Sequence, residues 1–111
     1  MKPVKIKAII KEKNLYVLWS DNHESNYTFS LLRSGCPCAS CRGGHENMGP
    51  EPDPKIFYAN LPDSNLTSLV KVELVGSYAL KAIWQDGHDY GIFTWHYLRA
   101  MCPCPICRNQ N

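Results

Sequence analysis

The sequence predicts a mainly β fold of the α+β kind: a small antiparallel β domain with short helical turns, internally duplicated into halves related by a pseudo-two-fold. Three observations predict it. The stretch IWQDGHDYGIFTWHYLRAMCPCPIC at residues 83–107 repeats an earlier LWSDNHESNYTFSLLRSGCPCASC at residues 18–41. Trp19, Asp21, His23, Phe29, Leu32, Arg33, Cys36, Cys38 and Cys41 fall in the same order as Trp84, Asp86, His88, Trp95, Leu98, Arg99, Cys102, Cys104 and Cys107. A repeat this long, broken by one single-residue shift, points to duplication. Period-two alternation of aliphatic and polar residues recurs in both halves, as half-buried strands require. All six cysteines lie inside the repeated stretches.

The elements follow in order. Residues 4–10 alternate Val4, Ile6, Ala8 and Ile10 against Lys5 and Lys7, giving a first strand that Lys13-Asn14 turns. Residues 15–19 make a second, and Tyr27 with Phe29 a third after the polar turn at residues 20–26, so the three form an antiparallel meander. From Gly35 to Pro54 four glycines and Pro50, Pro52 and Pro54 exclude a regular element beyond a turn induced by metal. A short apolar run at residues 56–58 is broken again at residues 61–65. Residues 69–75 and 78–84 read as two more strands separated by Gly76-Ser77. Asp86-Gly87 is a hairpin turn leading to Gly91-Ile92-Phe93, and it carries His88. Residues 29–33 and 95–99 each suit about one helical turn leading into the cysteines, because leucine and arginine favour helix.

A chain of 111 residues, 44% hydrophobic and 20% charged, fits one domain spanning 1–111, with halves at approximately 1–41 and 56–107. No run is long and apolar enough to span a membrane, and the lysine-interrupted N-terminus is unlike a secretory signal, so the expected location is the cytoplasm. In that reducing compartment, clustered cysteines indicate metal rather than a disulfide framework. The formal charge of +2 counts every thiol as neutral. Six thiolates on two divalent cations would cancel it, and the basic residues are dispersed, so neither nucleic acid nor membrane is an expected partner.

Cysteines at i, i+2 and i+5, in CPCASC and again in CPCPIC, converge when the backbone turns at the intervening proline. Three thiolates want a cation, and tetrahedral zinc takes three sulfurs and one imidazole. The tight CxC spacing departs from the usual zinc pattern, but its duplication restores the reading; the blander alternatives are buried small thiols or a strained disulfide. His23 and His88 stand at matched repeat positions and are the candidate fourth ligands, whereas His45 and His96 have no counterpart. Asp21 and Asp86, two residues before each histidine, could orient the imidazole or simply form the turn.

LLRSGCPCASC at residues 31–41 and VGSYALKAIWQDGHDYGIFTWHYLR at residues 75–99 resemble the gamma-butyrobetaine hydroxylase-like N-terminal domain family, over nearly the whole chain. In the hydroxylases this domain precedes an iron- and 2-oxoglutarate-dependent catalytic domain and holds zinc through three cysteines and a histidine. The resemblance maps those ligands onto Cys36, Cys38, Cys41 and His88. The same domain is also appended to P-loop ATPases concerned with iron–sulfur clusters. This chain departs from the hydroxylase pattern in keeping the second triplet, Cys102, Cys104 and Cys107. If the first copy's cysteines take the second copy's histidine, two-fold symmetry requires His23 to complete the second triplet. The alternative leaves His23 exposed and the triplet reduced, disulfide-bonded or ligated by His96. One zinc is expected, or two if the second triplet is also a site.

The expected function is a non-catalytic zinc module that binds another protein. No His-x-Asp iron site, phosphate loop or nucleophile elbow appears in the sequence. The alternative, from a different class, is an iron–sulfur assembly or carrier protein using the CxCxxC triplets.

Overall fold

A computed structural model describes residues 1–38, 41, 51–89 and 91–108. Strands β1 (Pro3–Ile9), β2 (Asn14–Trp19) and β3 (Glu24–Thr28) lead into helix α1 (Phe29–Ser34); β4 (Leu69–Val75), β5 (Ala79–Trp84) and β6 (Gly91–Thr94) lead into helix α2 (Trp95–Ala100). A short helix α3 (Pro105–Arg108) follows, and single turns of 3-10 helix cover Ile10–Glu12, Pro54–Phe57 and Asn65–Thr67. The strands form two antiparallel three-stranded sheets, β1-β2-β3 and β4-β5-β6.

Their registers match. Pro3 pairs Trp19 and Leu69 pairs Trp84, and each first strand has a β-bulge immediately after that pair. The middle strands alternate as one-sided burial demands, β2 hiding Leu15, Val17 and Trp19, and β5 hiding Leu80, Ala82 and Trp84. Those side chains meet Tyr27, Phe93, Leu32, Leu98 and Met101 in one apolar cluster drawn from both halves. Each buried Leu, Val, Phe or Met among them gains about 1.5–3 kcal/mol from full burial, so the shared core disfavours either half standing alone.

Three local differences from the expected elements have visible causes. The first strand ends at Ile9, because Ile10–Glu12 form a 3-10 turn closed by Lys13 at φ 54°. The third strand ends at Thr28: its hydroxyl accepts from Leu31 N and caps α1, so Phe29 opens a helix. The apolar run at 56–58 belongs to the 3-10 turn Pro54–Phe57, capped by Asp53 and opened by a proline. The expectation of an irregular loop at residues 35–54 falls largely outside the described residues, as does His45. No helix among the described residues is long and apolar enough to cross a membrane.

Candidate metal centres

Each histidine is presented by a tight turn at the end of a middle strand. Trp19 N bonds His23 O, and Trp84 N bonds His88 O. Between aspartate and histidine lie Asn22 at φ 67° and Gly87 at φ 88°, a left-handed conformation that asparagine and glycine tolerate. Asp21 Oδ1 accepts the amide of His23 at 3.2 Å, and Asp86 Oδ1 that of His88 at 3.2 Å. What the aspartates hold is therefore the histidine backbone, the turn-forming alternative.

The cysteines come from the opposite halves. α1 and α2 are capped alike by Thr28 and Thr94, and each ends in a turn whose arginine carbonyl accepts from the first cysteine, Cys36 N to Arg33 O and Cys102 N to Arg99 O. His88 Nε2 lies 3.3 Å from Cys36 Sγ, 3.4 Å from Cys38 Sγ and 3.4 Å from Cys41 Sγ. His23 Nε2 lies 3.3, 3.4 and 3.4 Å from the sulfurs of Cys102, Cys104 and Cys107. Within each set all four atoms lie within 4.8 Å of one another. Around a tetrahedral ion with Zn–S of about 2.3 Å and Zn–N of about 2.05 Å, the S···N edge is about 3.6 Å, so both sets fit such an ion closely. The two Cys/His clusters could each hold a metal ion. None of the six cysteines forms a disulfide, and the sulfurs of Cys36 and Cys38 lie 3.5 Å apart, far beyond a disulfide bond.

Burial pushes the thiols of Cys36 and Cys41 up from the ordinary value, and that of Cys107 up to about 11. Burial acts the same way on Cys104, but hydrogen bonding from Cys107, Cys102 and the Ile106 backbone together outweighs it and lowers the value. A cation entering either set therefore displaces protons from thiols.

Arginines brace each centre across the halves. Arg33 makes two bonds to the Asp86 carboxylate, at 3.1 and 3.0 Å, and lies over Trp84; Arg99 does the same to Asp21, at 3.2 and 3.0 Å, and lies over Trp19. The arginine bonds hold both carboxyls below the usual carboxylate range. From the sequence these arginines have no role beyond helix formation; their recurrence at matched repeat positions marks them, but not which aspartate each meets. The unmatched His96 lies 3.9 Å from Glu51 and belongs to neither set.

One difference between the centres lies beside the tryptophans. Trp19 Nε1 donates to the buried Ser25 Oγ at 2.8 Å, while Gly91 stands where that serine would be for Trp84, whose Nε1 has no partner among the described residues. A Cβ on Gly91 would meet Cys36 Sγ at 2.9 Å. The glycine leaves room for the sulfur.

The gamma-butyrobetaine hydroxylase-like N-terminal family model matches residues 6–99. A crystal structure of a protein of unknown function of the DUF971 family from Acidithiobacillus ferrooxidans is similar over 90% of this chain and 91% of its own, at 33% identity and TM-score 0.64. A protein solved by NMR shares 30% identity over 91% of this chain and 72% of its own, at TM-score 0.61. A second NMR structure, 23% identical, shares the fold at TM-score 0.67 over 99% of this chain and 71% of its own. No curated protein matches.

Proposed function

We propose, from the premise that this chain belongs to the gamma-butyrobetaine hydroxylase-like N-terminal family, that it is a non-catalytic zinc module of the cytoplasm acting in protein–protein interaction. It would serve a separately encoded oxygenase or an iron–sulfur assembly ATPase. The observation that carries the zinc reading is the convergence of three sulfurs and one imidazole nitrogen, twice, within 4.8 Å. That spacing suits one ion per set. In an iron–sulfur cluster the ligands are distributed over separate irons and most are cysteine, so the imidazole and the compact spacing favour zinc. All six cysteines, with His23 and His88, are drawn into these sets, which supports a structural and binding role.

Zinc matters energetically here. A structural zinc contributes roughly 10–16 kcal/mol of apparent binding free energy, comparable to the whole net stability of a domain, about 5–15 kcal/mol. Elemental analysis of the purified protein should find about two zinc ions per chain, one for each ligand set. A strong chelator should abolish the cooperative thermal transition seen by circular dichroism, and a partner recovered by the loaded protein should be lost with the metal. Iron with acid-labile sulfide, or an unchanged transition after verified metal removal, would overturn the reading.

A further inference from the structure

The segment joining the halves covers one groove and leaves its matched counterpart open. In the first half, Leu61 N donates to Ser30 Oγ at 2.9 Å, Asp63 pairs with Lys13, and Leu66 O accepts from Arg33 Nη1. Thr67 is thereby buried, and the remaining cleft beside Phe29, Ile10 and Leu69 is about 130 Å³. The corresponding positions on the other side can be assigned from backbone bonds. Phe29 N and Trp95 N donate to the carbonyls of Lys13 and Tyr78, and Ser20 N and Gln85 N to those of Lys2 and Ser68. Trp95 therefore matches Phe29, Tyr78 matches Lys13, and Lys2 matches Ser68. There, between β1 and β4, a groove of about 440 Å³ remains.

Its chemistry differs from that of the covered groove. The lining is apolar, with Val4, Ile6, Val72, Leu74, Leu80 and Trp95. Leu74 is 70% exposed and Val4 63%. Among the described residues Lys2 and Lys5, on the β1 side, have no ion pair, whereas Glu73 on the β4 side lies 3.6 Å from both Lys71 and Lys81. The unbalanced charge at the groove is positive. A second copy would bring the same lysines against each other, and so large an apolar lining is foreign to a phosphate track.

We propose that this groove is where the protein binds its partner, and that it takes a short turn-forming segment of another protein bearing apolar side chains and an acidic residue. The proposal rests on the reading of the chain as a binding module and names the surface that reading leaves unspecified. The occupant is the counterpart of the chain's own covering segment: apolar groups enter against Leu74 and Trp95, and a carboxylate meets Lys2 and Lys5.

The test selects a phage-displayed dodecapeptide library on the full, zinc-loaded chain, and measures zinc content and melting of each sample used. Selected peptides should combine apolar and acidic residues. They should lose about tenfold or more in affinity for Leu74→Ser and for Lys5→Glu, as truncation of a central contact does, but not for Tyr58→Ser. Tyr58 is 89% exposed and does not line the groove. Equal binding to Leu74→Ser, a basic consensus, no binders to a folded loaded protein, or a dimer that Leu74→Ser dissolves would each overturn the proposal. Those results with zinc retained leave the zinc module standing; absence of zinc from the wild-type protein defeats that earlier reading instead.

Discussion

Gly91 and Ser25 hold matched places and solve different problems. Ser25 satisfies the Trp19 indole, whereas Gly91 leaves the Trp84 indole without a partner among the described residues and admits the sulfur of Cys36. A stranded buried donor costs about 1–3 kcal/mol. Close approach of a metal-binding sulfur outweighs that cost if the ion contributes what structural zinc usually does. Gly91→Ala should therefore reduce bound zinc from two ions toward one and speed alkylation of Cys36, Cys38 and Cys41. Ser25→Ala should keep both ions and lower stability by about 1–3 kcal/mol through the stranded Trp19 indole, read by denaturant unfolding. Full zinc retention in Gly91→Ala would refute this reading of the glycine. The difference was illegible beforehand, because Gly91 in a short strand reads as a hairpin residue, and Cys36 approaches it only in three dimensions.

At the scale of elements, a helix end on one half meets a strand-end turn on the other. Arg33 on α1 grips Asp86 with two bonds while Asp86 holds the amide of His88, so the pair fixes the turn that presents the imidazole. Lysine cannot reproduce that fork. Arg33→Lys should weaken zinc at the first set by about 10–100-fold in a competitive chelator titration, the usual effect of a residue that supports a ligand. An unchanged affinity would reduce the pair to a surface contact. The strands were readable from alternation, and the helices from their leucines and arginines, because those are local properties. The ion pair was not, since Arg33 and Asp86 are 53 residues apart in sequence. The end of β3 was ambiguous for another reason: Phe29 suits strand and helix equally, and the Thr28 cap decides.

The whole molecule is held by reciprocity. Each Cys/His set joins a triplet from one half to a histidine from the other, each arginine reaches across to an aspartate, and both sheets contribute to one core. The duplication was legible as a repeat, and the cysteines as residues able to gather into sets that could hold a metal ion. Which histidine faces which triplet was not readable from spacing, because both pairings satisfy it. It followed only from a resemblance joined to a symmetry argument, and the structure brings His88 to Cys36, Cys38 and Cys41, and His23 to Cys102, Cys104 and Cys107. Metals in these positions would staple the halves to each other, so neither half would keep its fold when both ions are removed.

The most direct test replaces each histidine with alanine and maps, by mass spectrometry under native conditions, which cysteines become open to alkylation. With crossed centres, His88→Ala preferentially exposes Cys36, Cys38 and Cys41, and His23→Ala preferentially exposes Cys102, Cys104 and Cys107. Exposure instead of the cysteines in the mutated histidine's own half would contradict the crossed arrangement.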